Sequence, residues 1–352
     1  MSQYWSDLVR NLKPYTPGEQ PQLGNLIKLN TNENPFPPSP SVIAAIDNLD
    51  KNTLRLYPDP NAIELKQTLA EMNGLTQQHL FVGNGSDEVL AFAFGAFFKK
   101  KDPLLFPDIT YSFYPVYCDL WKIKYHKIPL REGFELKVED YFIKNGGIIF
   151  SNPNAPTGRA LTLDKVRTLL NHHIHAVVVV DEAYVDFGAQ SAVKLVDDYP
   201  NLLVIHTLSK SYSLAGLRVG YAFGHPHLIE GLERIKNSFN SYPLDRLAIK
   251  AAVAALLDKA YFENTRKKIQ EIRAFLTNEL KVLGFDVVPS SANFVFASHL
   301  KMPAEDIYHK LREMGILVRY FNLPRIDNYL RISIGTRFDM EKLILALRHL
   351  LL

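Results

Sequence analysis

The sequence predicts an α/β fold, with a mostly parallel central sheet, helices on both of its faces, and a smaller α+β domain after it. Three observations support this prediction. Short runs that are apolar throughout recur between residues 80 and 222, which is typical of parallel strands buried on both faces. Helical segments such as residues 163–171 separate several of these runs. Beyond residue 282 the sequence pattern changes and predicts short strands interspersed with two helices.

The predicted elements can be placed in order along the chain. Residues 1–40 are rich in proline and indicate an irregular arm, after which helices are expected from Pro40 and over residues 63–72. The strand candidates of the large sheet are residues 80–82, 104–106, 148–150, 177–180, 202–205 and 219–222. A long helical region then spans residues 244–281. The remaining candidates are strands at 285–288, 293–296, 316–319 and 329–333, and helices at 303–314 and 338–351.

The length of 352 residues is enough for two cores. We therefore expect three parts. These are an N-terminal arm over residues 1–40, a large domain over 41–245, and an interdomain helix with a small C-terminal domain over 246–352.

Composition argues against several classes of partner. The formal net charge is only +3 and no basic stripe with interleaved aromatic residues is present, so we expect no nucleic acid. A helix that spans a bilayer needs about 20 consecutive apolar residues, and the sequence contains no such stretch, so we expect no membrane contact. Cys118 is the only cysteine, which excludes a disulfide within the chain, and residues 1–13 lack the apolar core of a signal peptide. A cytoplasmic location is the expectation that fits these features.

Lys210 stands directly after the apolar run 202–205, within Thr207-Leu208-Ser209-Lys210-Ser211. A lone lysine is ordinarily a solvated surface group. The alternative is an amine that binds an aldehyde cofactor as a Schiff base. Gly216-Leu217-Arg218-Val219-Gly220 follows, which puts a glycine-flanked arginine near this lysine in sequence.

Two further strand ends carry polar residues. Gly83-Asn84-Gly85-Ser86-Asp87-Glu88 is either a simple capped helix start or a phosphate site at a helix N-terminus. Asp181 follows four valines, and a buried carboxylate needs a cationic partner. That partner is either a protonated pyridine nitrogen or a structural arginine. A third possibility is that Asp181 caps the N-terminus of a helix.

The other candidates have equally ordinary alternatives. Residues 151–158 read as a turn, or as a source of an amide for a cofactor oxygen. Tyr111 is a core tyrosine or a stacking platform. Arg319 and Arg331 are surface cations or bidentate anchors for carboxylate or phosphate. We expect no metal site at His172-His173-Ile174-His175, because no carboxylate or cysteine ligands lie nearby in sequence.

Taken in order, these motifs resemble the fold-type I pyridoxal-phosphate aminotransferases and, within them, the histidinol-phosphate aminotransferase family. The resemblance runs nearly end to end. Its motifs are Leu12-Lys13-Pro14-Tyr15, Leu29-Asn30-Thr31-Asn32-Glu33-Asn34-Pro35, Arg55-Leu56-Tyr57-Pro58-Asp59-Pro60, Gly83 to Glu88, Val180-Asp181-Glu182-Ala183-Tyr184, Thr207-Leu208-Ser209-Lys210 and Leu330-Arg331-Ile332-Ser333-Ile334-Gly335. The motifs are specific for the fold and the cofactor and less specific for the substrate.

The resemblance implies a role for each matched residue. Lys210 would bind pyridoxal 5'-phosphate covalently and shuttle a proton, Asp181 would hold the pyridine nitrogen protonated, and Tyr184 would bond to the ring oxygen O3′. Tyr111 would stack on the ring. The phosphate would be held by Gly85, Ser86, Ser209 and Arg218, joined by Tyr57 of the neighbouring subunit. Substrates would meet Tyr15, Asn32, Glu33, Arg319 and Arg331.

One position departs from the family pattern. The family's turn carries an asparagine before its second proline, which contacts O3′, and this chain has Ala155 there. Asn154 is the residue expected to supply the amide instead.

The implied activity is transfer of an amino group from L-histidinol phosphate to 2-oxoglutarate, in a homodimer with shared active sites. The alternatives on the same fold are an aromatic amino-acid aminotransferase and a threonine-phosphate decarboxylase.

Overall fold

The computed structural model of the chain describes residues 2–20 and 26–351. Within these ranges the strands are β1 (Ile27–Lys28), β2 (Leu80–Asn84), β3 (Leu104–Pro107), β4 (Tyr125–Ile128), β5 (Gly147–Ser151), β6 (Val178–Asp181), β7 (Leu202–Thr207), β8 (Val219–Gly224), β9 (Phe285–Val288), β10 (Phe294–His299), β11 (Ile316–Leu317), β12 (Arg319–Tyr320) and β13 (Leu330–Ser333). The helices are α1 (Asp7–Asn11), α2 (Pro40–Asp47), α3 (Ile63–Asn73), α4 (Gly85–Ala93), α5 (Phe113–Trp121), α6 (Leu163–His172), α7 (Pro226–Asn237), α8 (Arg246–Leu257), α9 (Lys259–Val282), α10 (Ala304–Glu313) and α11 (Arg337–Leu351).

The apolar runs form one seven-stranded sheet in the order β2-β8-β7-β6-β5-β3-β4. β3 to β7 are parallel to one another, whereas β8 runs antiparallel to both of its neighbours. Every residue of β5, β6 and β8 is buried, as runs covered on both faces require. β4 was not predicted, because Tyr-His-Lys-Ile at the sheet edge has two exposed residues in its centre and carries no apolar run.

Capping residues explain where the helices begin. The predicted helical region 244–281 is two helices, because Asp258 ends α8 and its side chain accepts a hydrogen bond from the backbone N–H of Tyr261 to cap α9. Ser39 and Asp245 cap α2 and α8 in the same way. In the parts of the chain that the structure describes, no helix is long and apolar enough to cross a bilayer.

A second, antiparallel sheet has the order β12-β13-β10-β9 and packs against α9, α10 and α11. The predicted strand 316–319 is divided at Val318, because β11 pairs with β1 whereas β12 pairs with β13. The arm segment β1 thus joins this part of the molecule. The domain limits at residues 40 and 245 stay a prediction, and Pro21 of the predicted arm lies outside the described residues.

The register of the large sheet brings the carboxyl ends of its central strands together. Ser151 of β5 lies opposite Asp181 of β6, which in turn lies opposite Ile205 of β7. Open α/β sheets bind their ligands at this edge. Polar residues that are far apart in sequence therefore meet at one place.

Candidate active site

A cavity of about 600 Å³ lies at this edge, between the two sheets. Eleven of the predicted site residues line it: Tyr15, Asn32, Ser86, Tyr111, Asp181, Tyr184, Ser209, Lys210, Arg218, Arg319 and Arg331. The remaining four, Gly85, Glu33, Tyr57 and Asn154, are not part of its lining.

Lys210 extends from the loop after β7 into this cavity. Its Nζ donates to the carbonyl of Thr31 at 3.1 Å and lies 5.8 Å from the centre of the Tyr184 ring. The Asn34 amide donates to the carbonyl of Lys210 at 3.0 Å, which fixes the backbone behind the amine. Among the described residues no carboxylate forms an ion pair with Lys210, so the amine is available to a ligand.

Asp181 lies at the floor of the cavity and is 3 % exposed. Burial raises its pKa from 3.8 to about 6, although hydrogen bonds from Tyr114 Oη (2.9 Å) and the N–H of Ala183 (3.3 Å) favour the ionised form. A cationic N–H beside this carboxylate would offset the cost of burial. Tyr114, which was not predicted as a site residue, holds the carboxylate in place.

The start of α4 forms a cradle against β8. Gly85 has φ +76°, and a Cβ there would lie 2.4 Å from Arg218 Nη2. A Cβ on Gly220 would lie 2.3 Å from the backbone nitrogen of Ser86. Only glycine allows these approaches, which leave N–H groups at a helix N-terminus beside Arg218 and the Ser209 hydroxyl. Such a group of donors fits a phosphate.

Asp87 connects two predicted cofactor residues, and sequence reasoning assigned it only a capping role. One carboxylate oxygen accepts from Tyr111 Oη at 2.9 Å, and the other accepts from Arg218 Nη2 at 3.1 Å. Tyr111 also faces Tyr15, with ring centres 6.3 Å apart. The aromatic wall of the cavity is thereby tied to the cradle.

Arg319 and Arg331 provide the positive charge on the opposite wall. Arg331 donates from Nη2 to the carbonyl of Asn30 at 2.9 Å, while its buried Nε has no partner among the described residues. Burial lowers the pKa of Arg331. Both guanidinium groups lie 5.6 Å from the ring centre of Phe321. In the described residues neither arginine has a carboxylate partner, so an anionic ligand is the group that these two cations fit.

Tyr184 is held by the segment that follows β1. The amide of Asn32 donates to Tyr184 Oη at 3.1 Å, and Asn32 itself has φ +55°. The backbone N–H of Asn32 donates to Ser333 Oγ at 2.9 Å, which anchors this left-handed residue to β13. The phenol oxygen of Tyr184 therefore has a defined position at the cavity wall.

Asn154 is turned away from the cavity. Its amide nitrogen donates to the carbonyl of Ile109 and to Thr157 Oγ1, both at 3.0 Å. Ala155 lines the cavity instead. The expectation that Asn154 replaces the amide missing at Ala155 has no support in this geometry, because its donors are already used within the loop.

Glu33 and Tyr57 also lie away from the cavity wall. Glu33 pairs with Lys28 and accepts from Thr31 Oγ1 at 2.9 Å. Tyr57 is 79 % exposed and stacks on Tyr242, with ring centres 4.7 Å apart. Neither residue contributes to the cavity of its own chain.

Known proteins match this chain over its full length. Residues 24–347 match the family described as aminotransferase class I and II. Histidinol-phosphate aminotransferase 1 of Hydrogenovibrio crunogenus is 58 % identical over 351 residues, which is 100 % of this chain and 99 % of that protein. Histidinol-phosphate aminotransferase 1 of Pseudomonas aeruginosa is 57 % identical over 99 % of this chain and 100 % of its own length.

A solved structure bears out the predicted fold. The crystal structure of histidinol-phosphate aminotransferase from Sinorhizobium meliloti in complex with pyridoxal-5'-phosphate superposes with a TM-score of 0.90, at 24 % identity, over 100 % of this chain and 98 % of that chain. At this identity the likeness establishes the fold, and the family rests on the full-length relatives. The chain belongs to the class I and II aminotransferases and, within them, to the histidinol-phosphate aminotransferase family.

Proposed function

We propose that this chain is a pyridoxal-phosphate-dependent aminotransferase that converts L-histidinol phosphate and 2-oxoglutarate to imidazole-acetol phosphate and L-glutamate, a step of histidine biosynthesis. The observation that carries the proposal is the cavity itself. It holds a buried aspartate together with one lysine and two arginines that have no carboxylate partner in the part of the chain that the structure describes. Full-length relatives at 57–58 % identity bear the name of this activity.

The residues present fit pyridoxal phosphate. The glycine cradle and Arg218 suit its phosphate, Asp181 suits a protonated ring nitrogen, and Tyr184 Oη suits the ring hydroxyl. Tyr111 offers a ring face, held in place by Asp87. These assignments are supported by burial and donor geometry.

When bound, the cofactor supplies an aldehyde that accepts the amino group and a ring that withdraws electrons from the α-carbon of the donor. Lys210 Nζ takes the proton from that α-carbon and, in the second half-reaction, returns a proton to the α-carbon of the new amino acid. Arg319 and Arg331 bind the phosphate of one substrate and a carboxylate of the other, because bidentate guanidinium groups suit both anions. Tyr15 closes the pocket from the arm.

We also propose that the enzyme is a cytoplasmic homodimer with shared active sites. Tyr57 is 79 % exposed, and large apolar side chains near it in the fold or in sequence are exposed as well: Leu54 (57 %), Leu56 (50 %) and Tyr242 (42 %). Exposed apolar groups of this kind are typical of a protein interface. In that arrangement Tyr57 would reach the phosphate site of the partner.

Steady-state kinetics with different amino donors tests the substrate assignment. We expect kcat/KM with histidinol phosphate to exceed the values with phenylalanine and tyrosine, since neither of these two amino acids offers a phosphate to the two arginines. Threonine phosphate should give no decarboxylation. A higher kcat/KM with an aromatic amino acid, or release of CO₂ from threonine phosphate, would replace the assignment by that activity.

A further inference from the structure

The segment 321–328, here called the strap, lies between β12 and β13 and forms part of the cavity wall. Five of its residues line the cavity: Phe321, Leu323, Pro324, Arg325 and Ile326. Leu323 lines the cavity and is also 51 % exposed, so the strap lies at the rim where the cavity meets solvent. No part of the aminotransfer chemistry described above uses it.

Arg325 connects the strap to the loops that follow β3 and β4 of the large sheet. Its Nη1 lies 2.5 Å from Asp108 Oδ2, and its Nη2 donates to the carbonyl of Leu130 at 2.6 Å. The other oxygen of Asp108 accepts from the backbone N–H groups of Ile109 and Leu130, both at 2.9 Å. The carboxylate is thus fixed by its own loop, and Arg325 is the group that comes to it from the other side of the cavity.

Arg325 adopts a left-handed backbone conformation, with φ +71°. A side chain other than glycine rarely adopts this region, so the contacts of the residue have to hold it there. The next residue, Ile326, is 3 % exposed in an apolar cluster with Phe296 of β10 and with Ile109 and Leu130, which follow β3 and β4. The strap is therefore held by the buried side chain of Ile326 and by the charged side chain of Arg325.

Both ends of this contact lead to site residues. Asp108 immediately precedes Ile109-Thr110-Tyr111, whose tyrosine forms the aromatic wall. Phe321, at the other end of the strap, lies against the guanidinium groups of Arg319 and Arg331. The contact between Arg325 and Asp108 hence spans from the cofactor side of the cavity to the anion anchors.

We propose that Arg325 and Asp108 are positioning residues that form a clasp, which holds the strap closed over bound substrate and keeps the two arginines at their working distance from Lys210. The inference rests on the proposed function of this cavity. The pair is partly exposed, with Arg325 42 % and Asp108 23 % exposed, and an ion pair of that kind opens easily. Substrate enters when the clasp is open, and a bound dianion favours the closed form through Arg319, Arg331 and Phe321.

Variants of the holoenzyme test the clasp. Arg325→Met keeps the length of the side chain and removes its charge and donors, and Asp108→Asn keeps an acceptor for the two backbone N–H groups. We expect each variant to raise KM for both substrates, and the Kd of the dicarboxylate glutarate measured by calorimetry, by about two- to fivefold. Cofactor affinity and the visible absorbance of the bound cofactor should not change, because the clasp does not touch the phosphate cradle. Arg325→Lys should recover part of the loss.

The control is Arg348→Met, which removes an ion pair with Glu279 that is similarly exposed and lies outside the cavity. The double variant Arg325→Met with Asp108→Asn should bind glutarate with a Kd no higher than that of the single variant with the higher Kd, since the two residues act as one unit. Unchanged glutarate binding in Arg325→Met, or losses that multiply in the double variant, would overturn the clasp while leaving the aminotransferase assignment intact. Because glutarate binding needs no turnover, it tests the clasp even if histidinol phosphate proves to be the wrong donor. A wild type that binds no glutarate would overturn both.

Discussion

Lys210 is the residue on which the proposed proton transfer depends. Lys210→Ala should reduce turnover by about 10²–10⁴-fold, because Lys210 is the amine that lies beside Tyr184 in the cavity and is proposed to take the α-proton. The visible absorbance of the covalently bound cofactor should also disappear. Spectrophotometry of the purified variant beside Lys250→Ala, whose lysine pairs with Glu64 at the surface, measures both effects. Retained turnover in Lys210→Ala would remove this residue from the mechanism.

Asp181 links cofactor binding to pH and to stability. Its pKa in the cofactor-free protein is about 6, above the 3.8 of an ordinary aspartate, so the folded state binds a proton that the unfolded state lacks between these pH values. The contribution of Asp181 to the free energy of unfolding should therefore fall as pH rises from about 4 to about 6. Asp181→Asn has no carboxyl to ionise in the buried site. Above pH 6 its free energy of unfolding should therefore exceed the wild-type value by up to about 3 kcal/mol.

Urea denaturation of both cofactor-free proteins at pH 4, 6 and 8 checks the sign of that difference. The same substitution should weaken cofactor binding by about 10- to 100-fold, since a neutral amide cannot pair with a ring cation. The wild-type affinity itself should fall below pH 6, where the cofactor has to displace a proton from Asp181. An affinity that is independent of pH between 5 and 8 would argue against this pairing.

How far the site was predictable differs from residue to residue. Asp181 and Lys210 follow apolar strands, and the ends of parallel strands meet at one edge whatever the details of the loops. Asp87 as a link between Tyr111 and Arg218 could not be predicted, because it depends on how three side chains turn after their elements end. Asn154 shows the same limit, since the sequence places an amide near the cavity but not the direction in which it points.

At the scale of elements, the close approach of β8 to the start of α4 forms the phosphate cradle. Gly220→Ala would put a Cβ 2.3 Å from backbone atoms of Gly85 and Ser86, so one element has to move. We expect a loss of roughly 1–3 kcal/mol in stability and weaker cofactor binding. Gly216→Ala is the matched control, because nothing lies within 4 Å of a Cβ at that position. Gly220→Ala should have a lower Tm by thermal unfolding and a higher Kd for the cofactor by titration than Gly216→Ala. Equal values in the two variants would mean that the cradle is not rigid.

Elements with a strong apolar pattern were predictable and the others were not. β6 and β7 are apolar along nearly their whole length and were confirmed, whereas the exposed edge strand β4 has no such signal. The split of residues 244–281 into α8 and α9 depends on one cap at Asp258, which is a weak signal inside a long helical pattern. Tertiary pairing explains the division between β11 and β12, and a local pattern cannot show it.

At the scale of the whole molecule, the active site is assembled from parts that are distant in sequence. The backbone N–H of Asn32 donates to Ser333, 301 positions later. The two arginines belong to the small sheet, whereas Asp181 ends β6 of the large sheet and Lys210 lies in the loop after β7. Motif order along the chain indicated which residues take part. Only the three-dimensional structure gives the contacts that bring the anchors over the cofactor side, and the clasp between Arg325 and Asp108 is one of these contacts.

The proposed sharing of active sites between two copies predicts that two inactive variants restore activity when they form a mixed dimer. Tyr57 is exposed and is not part of the lining of its own cavity. If it reaches the phosphate site of the partner, a dimer of Tyr57→Ala chains should lose phosphate affinity at both sites, and a dimer of Lys210→Ala chains should lose turnover at both. In a mixed dimer with shared sites, one site carries both substitutions and the other carries neither. Unfolding and refolding the two variants together in equal amounts should then restore about a quarter of the wild-type activity, because half of the dimers are mixed and each has one intact site. If Tyr57 instead acts within its own chain, every site keeps one substitution and mixing restores nothing.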